Sequence, residues 1–382
     1  MQDESTCIKV PKTQGEKTIA LASKLRLINK NLEIQSDEES VYLPIANRPS
    51  EDLLETLENQ ISDLEITTRV FPERNKPKPS LIELLKDKLP PHLLASLPRA
   101  IDFVGDIAII EVPPELEAHK DVIGEAILTM NQNVQTVLAK AGTVTGTYRL
   151  REFKVIAGKP KTETVHNEYG CKYYVDLAKA YFSPRLAHEH NRVASLVKEG
   201  ETVIDLFAGI GPFAIPIAKK HQDVKVYAID VNPHAIEYLK ENARLNRVFG
   251  RVHFILGDAE QVVNSKLAGI ADRVIMNLPE KAIEFVDAAC KALKPVGGII
   301  HFYSFTNASD SLEKVKRNFA TTVENTGRQT VEILYARTVR ETAPHEFQVV
   351  LDVKIQQHGT QRRIFRQSRP ETKTLSVRSG KT

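Results

Sequence analysis

The spacing of apolar and polar positions changes period along the chain, and each change marks a region. In the first stretch it predicts a strand over 7–11, an amphipathic helix over 16–28, a hairpin through 32–44 and a second helix near 52–60. The run FPERNKPKP over 71–79 then breaks every period and predicts a linker. From 80 to about 179 the pattern is mixed: helical over 81–89 and 116–130, extended over 101–112, 134–139 and 148–156. The last of these carries TYRLREFKV, a strand on which Arg149 and Arg151 would share one face and Lys154 the other.

From about Glu201 strand patterns alternate with helical ones, the mark of a mostly parallel sheet covered on both faces. The strand patterns end at Asp205, Asp230, Asp258 and Asn277, with a fifth over 298–305. Asn232 followed by Pro233 predicts a capped helix after the second of them. Beyond Thr330 two strand patterns, 331–337 and 347–355, are joined only by a loop and predict a terminal antiparallel hairpin. The expected architecture is α/β: a Rossmann-like domain over 181–357 with that hairpin at its end, preceded by two small α+β domains over 1–70 and 71–180. A basic tail over 358–382, with Arg362, Arg363, Arg366 and Arg369, is expected to be disordered.

At 382 residues the chain exceeds one ordinary core, which agrees with several domains. With 42% apolar residues, no apolar run near twenty and a polar, acidic start, a cytoplasmic protein without a membrane span is expected. Cys7, Cys171 and Cys290 lie far apart with no CxxC, so neither disulfides nor a zinc site is expected, and no metal is needed for folding. A net charge of +3 excludes a simple polycation and leaves room for local basic patches.

The candidate chemistry begins in Asp205-Leu-Phe-Ala-Gly-Ile-Gly-Pro-Phe213, where a strand turns into a helix and Gly209 and Gly211 would let backbone amides approach a ligand. Asp230, nineteen residues past Gly211, ends the next strand, where a carboxylate can accept both hydroxyls of a ribose. A nicotinamide site is the first alternative, but its fingerprint needs a third glycine for helix packing, and Ala214 follows Pro212 and Phe213 here. Asp258 at the third strand end and the terminal hairpin favour S-adenosylmethionine. Each aspartate taken alone could equally be a helix cap or turn residue.

The segments DLFAGIGPFAIPIAKK, YAIDVNPHAIEYLKENARLN, RVIMNLP and YFSPRL resemble the tRNA (guanine-37-N1) methyltransferases, particularly the three-domain archaeal type. CIKVPKTQGEKT, VYLPI, FVGDIAII, YRLRE and VRETAPHEF extend the resemblance over most of 7–355. It implies a class I methyltransferase domain using S-adenosyl-L-methionine, a central domain that helps hold the anticodon loop, and a first domain that checks the outer corner of tRNA. The substrate would be tRNA with guanosine at position 37, and a monomer is expected. The cofactor pocket would be formed by Tyr181, His190, Asp205, Phe207, Gly209, Gly211, Asp230, Val231, Asp258, Ala259 and Asn277.

Methylating guanine N1 removes a weakly acidic proton while O6 gains negative charge, so a base and a cationic or hydrogen-bonding stabiliser should converge. By resemblance, Glu189 matches the general base and Arg149 the arginine that stabilises O6, while Asn277 in Asn-Leu-Pro can bond a purine edge through its amide. The ordinary readings are a solvated helix carboxylate, a phosphate-contacting arginine and a turn residue before proline. Where the family has arginine after the catalytic glutamate, this chain has His190. On a helix His190 shares a face with Leu186, Val193 and Val197, which also suits a satisfied core histidine, and Arg192 is an alternative source of the missing charge. The competing functions are an aminocarboxypropyl transferase of wyosine synthesis, a methyltransferase that also acts on a wyosine precursor, and a non-catalytic tRNA-binding protein.

Overall fold

The computed structural model describes residues 4–74, 79–307 and 312–358. The basic tail therefore lies, His358 excepted, outside the described residues, as do residues 75–78 of the expected linker. Contacts divide the chain into two units, Met1–Ser80 and Leu81–Thr382.

In the first unit Glu4–Pro11 is the inner strand of an antiparallel sheet, with Ser40–Pro44 on one side and Glu65–Val70 on the other. Its apolar positions meet helices Gly15–Lys24 and Glu51–Glu58 around Ile8, Val10, Leu43 and Leu57. The first helix is shorter than the predicted 16–28. Arg26 takes a left-handed conformation, φ 55°, and the N–H groups of Arg26 and Leu27 bond back to the carbonyls of Ser23 and Ala22, which closes the helix as a Schellman cap. Strand Glu65–Val70, which the sequence pattern does not predict, has only a short alternation (EITTRV) beside the proline-rich stretch.

The second unit opens with a four-stranded sheet, Asp102–Val104, Ile107–Ile110, Thr136–Thr145 and Leu150–Gly158, whose parallel central pair is joined through helix Lys120–Met130. One face of this sheet packs on its own helices through Ala108, Ile110, Ile123 and Ile127. Val104, Ile107, Ile109 and Leu138 instead share a core with Tyr173, Val193 and Phe213, so the region before 180 is continuous with the α/β region after it. An unanticipated hairpin, Glu163–Glu168 with Cys171–Asp176, lies between them in sequence.

The large sheet runs Val252–Leu256, Lys225–Asp230, Thr202–Asp205, Arg273–Met276, Gly298–Asn307, Glu346–Gln357, Arg328–Ala343. The first five are parallel and the last two form the antiparallel hairpin. Consecutive residues such as Val203 and Ile204 enter cores on opposite faces, as a doubly covered sheet requires. The chain reverses order at Thr202–Asp205, between Lys225–Asp230 and Arg273–Met276, and ligands of such sheets bind outside the strand carboxyl ends at that switch.

Candidate active site

Strand Thr202–Asp205 delivers the loop to that switch point. Asp205 is fully buried; its Oδ1 accepts the Phe207 N–H at 3.3 Å, and its Oδ2 has no hydrogen-bond partner among the described residues. Burial, helped by the charge of Asp230, pushes its carboxyl up to about 7. Asp230 accepts the Gly209 N–H through Oδ2 at 2.7 Å and the Asn232 N–H through Oδ1 at 2.8 Å. Burial raises its pKa against the pull of the backbone amides of Asn232, Gly209 and Val231. Asn232 caps helix Pro233–Leu245 as expected, its side chain accepting the His234 N–H at 3.0 Å.

The two loop glycines divide the work differently from the expectation. Gly209, φ 53°, faces the ligand space and donates to Asp230. Gly211, φ 96°, does not line that space; a Cβ there would meet Leu239 Cδ1 at 2.3 Å and Ile215 Cγ1 at 2.9 Å. It therefore supplies the close helix packing that seemed to lack a glycine.

Above the strand ends lies a cavity of about 380 Å³, within the roughly 300–1,000 Å³ usual for small-molecule sites. Phe207, Gly209, Asp230, Val231, Asp258 and Ala259 line it from the strand-end loops. Arg149, Tyr181, His190 and Asn277 line it from elsewhere, whereas Asp205, Gly211 and Glu189 do not. Asp258 also caps helix Ala259–Val262, accepting the Gln261 N–H at 3.0 Å. An adenosyl group suits these residues. Each carboxylate oxygen can accept more than one hydrogen bond, so beside the backbone N–H groups Asp230 keeps lone pairs for two ribose hydroxyls.

Arg149 is not on a strand. It precedes Leu150–Gly158 in a turn, φ 54°, the left-handed conformation that Arg26 also takes at a helix end. From there its guanidinium sits 2.9 Å from Glu280 Oε2 and 5.5 Å from the centre of the Tyr181 ring.

Glu189 lies on helix Ala187–Leu196 but is buried, 4% exposed, not solvated. Arg192 Nε donates to both of its oxygens at 3.0 Å, and Tyr303 Oη donates to Oε2 at 2.9 Å. Arg192 also binds Asp352, whose Oδ1 is 2.6 Å from His301 Nδ1. Arg192 is thus committed to two carboxylates and does not line the cavity. His190, 2% exposed, does reach the cavity; its Nδ1 lies 2.6 Å from Glu168 Oε1 and its ring meets Phe213 edge-on at 4.7 Å. His190 is therefore a core histidine with a buried partner that also lines the cavity.

Sequence reasoning missed Ser183, Arg340 and Gln348, which also line the cavity. The latter two come from the terminal hairpin; the family-like VRETAPHEF contains Arg340 and stops one residue short of Gln348.

Residues 164–334 match the TRM5/TYW2 methyltransferase domain, 81–162 the TYW2 N-terminal domain and 7–53 the tRNA methyltransferase 5 N-terminal domain. The tRNA (guanine(37)-N(1))-methyltransferase Trm5b of Pyrococcus abyssi is 42% identical over 70% of this chain and 78% of its own. Trm5b of Methanocaldococcus jannaschii is 35% identical over 91% of this chain and 98% of its own. The solved complex of aTrm5 with tRNALeu superposes with a TM-score of 0.65 at 34% identity, over 91% of this chain and 99% of that one. The domain names come from both branches of one family, but the similarity to Trm5b runs nearly end to end, and on that extent the chain belongs to the TRM5/TYW2 methyltransferase family as a Trm5-type member.

Proposed function

We propose that this protein is an S-adenosylmethionine-dependent tRNA (guanine-37-N1) methyltransferase. The observation that carries the reading is that a single cavity joins Asp230 and Asp258, suited to an adenosyl group, to Arg149 and Asn277, suited to a purine edge. When bound, the cofactor supplies a methyl group carried on a positively charged sulfur. Asp230 holds the ribose and Asp258 the adenine side. The guanine N1 proton passes to a protein base as N1 takes the methyl group, and Arg149 meets the negative charge growing on O6.

Glu189 is that base in this reading. To take the proton its carboxylate must turn out of the grip of Arg192 and Tyr303, and Asp352 keeps Arg192 paired when it does. A second reading is favoured by one contact: Glu168 fixes Nδ1 of His190, which orients the ring's other nitrogen as a proton acceptor, and His190 already faces the cavity. The first domain as a reader of the tRNA corner, the central domain as an anticodon-loop holder and a cytoplasmic monomer without metal belong to the same proposal.

Labelled S-adenosylmethionine and unmodified tRNA should give 1-methylguanosine on nucleoside analysis. An aminocarboxypropyl nucleoside, or no transfer, would overturn the function. Glu189→Gln should lower single-turnover methylation by about 10²- to 10⁴-fold with little change in binding. A near-normal rate in that variant together with a collapse in His190→Gln would transfer the role to His190.

A further inference from the structure

The terminal hairpin, Arg328–Ala343 with Glu346–Gln357, sends two side chains into the cavity region without an assigned task. Arg340 and Gln348 face each other in register across the hairpin strands. Arg340 Nε donates to Gln348 Oε1 at 2.9 Å, and its Nη1 donates to Ser183 Oγ at 3.3 Å. Gln348 Nε2 donates in turn to Asn277 Oδ1 at 3.4 Å. Gln348 is 1% exposed, so its amide groups need partners within the protein or the cavity.

The direction of this chain is chemically fixed. Arginine has donors and no acceptor, so the Gln348 atom beside it must be the carbonyl oxygen. The Gln348 amide then points its NH₂ at Asn277, which must answer with Oδ1. Among the described residues Asn277 Nδ2 donates to no protein acceptor, so both its hydrogens are left to donate.

We propose that Arg340 and Gln348 are positioning residues that lock the Asn277 amide so that it presents a donor to the target base. Resting on the reading that a tRNA guanosine enters this cavity, the donor meets O6, which guanine offers as an acceptor and adenine replaces with an amino donor. The relay thereby selects guanosine and shares with Arg149 the stabilisation of O6.

Reversing the relay tests it. Gln348→Glu keeps the shape and the bond to Arg340 but offers Asn277 only an acceptor, so the Asn277 amide must flip and turn its oxygen to the base. Gln348→Met leaves Asn277 free in either sense. Single-turnover methylation of guanosine-37 tRNA should fall by about tenfold in Gln348→Met and by about 10²- to 10³-fold in Gln348→Glu, the range for loss of one aimed donor. Cofactor affinity and melting temperature should hold. A purely structural role predicts the opposite order, with the better-fitting glutamate more active than methionine, and that order would overturn the proposal. Inosine at position 37 keeps O6 and lacks the 2-amino group, so each variant should lose the same factor on inosine as on guanosine. A Gln348→Glu defect that disappears on inosine would mean that Asn277 accepts from the 2-amino group, and would reject the donor assignment. If the unaltered protein fails to methylate guanosine 37, the functional reading falls instead of the relay.

Discussion

Asp205 and Asp352 are both buried at the large sheet, 0% and 1% exposed, yet their carboxyls sit at about 7 and about 2. Burial raises both, so the difference lies in the company. Asp205 has one backbone N–H, an orphan oxygen and the like charge of Asp230. Asp352 has His301 in register on the neighbouring strand and Arg192 from helix Ala187–Leu196, and together they outweigh burial. The glycine-loop side of the sheet is thus short of partners, while the hairpin side is saturated with them. The contrast is between a loop that borders the cavity and a buried network that fixes the Glu189 side chain.

The comparison breaks most visibly if the shared cation is removed. Arg192→Met leaves Glu189 and Asp352 buried without a counter-charge, which should cost about 3–5 kcal/mol of stability at neutral pH. Chemical denaturation of the unaltered and substituted proteins measures it. A loss below about 1 kcal/mol would mean that the two carboxylates are already balanced elsewhere.

The loop side should answer to pH in the opposite sense from Asp352. Because the folded carboxyl of Asp205 lies near 7, above the unfolded value of about 3.9, its contribution is full below pH 4 and lost as pH rises through 7. Asp352, held near 2, contributes above pH 4 and loses that contribution as pH falls towards 2. Asp205→Asn cannot ionise, so its stability should decline less than that of the unaltered protein between pH 5 and 8, by about 2–3 kcal/mol. Parallel melting-temperature curves across that range would contradict the raised carboxyl.

The loop side was also the legible side. Asp205, Gly209, Asp230 and Asp258 could be found because alternating strands and helices bring strand ends to one edge whatever the intervening sequence. Of the hairpin side only Glu189 was named, and by resemblance alone; its meeting with Tyr303, His301 and Asp352 spans 51 to 160 residues of sequence, counting the Arg192 bridge, and no local period records it. Arg149 was misplaced for a different reason: the alternation of TYRLREFKV is genuine from Leu150 onward, but the preceding Gly146 belongs to a turn that takes Arg149 out of the strand and into the cavity. Gly211 was assigned to a ligand because spacing shows that a glycine is needed, not which neighbour, here Leu239, requires it.

The smallest expected effect sharpens the contrast within the loop side itself, between the carboxylate that faces the cavity and the one behind it. Asp230→Ala removes the acceptor for the ribose hydroxyls and also frees the N–H groups of Gly209 and Asn232, so S-adenosylmethionine affinity should fall by about tenfold or more, about 1.4 kcal/mol. Asp230→Asn retains an acceptor oxygen and should lose less. Affinity for tRNA should hold in both, because neither change touches Arg149 or Asn277. Asp205→Asn should leave cofactor affinity within about twofold despite its effect on pH-dependent stability, since it does not line the cavity and one such factor is only about 0.4 kcal/mol. Calorimetric titration of the three variants decides the matter: equal losses at 205 and 230 would mean that the loop, and not a direct contact from Asp230, governs cofactor binding.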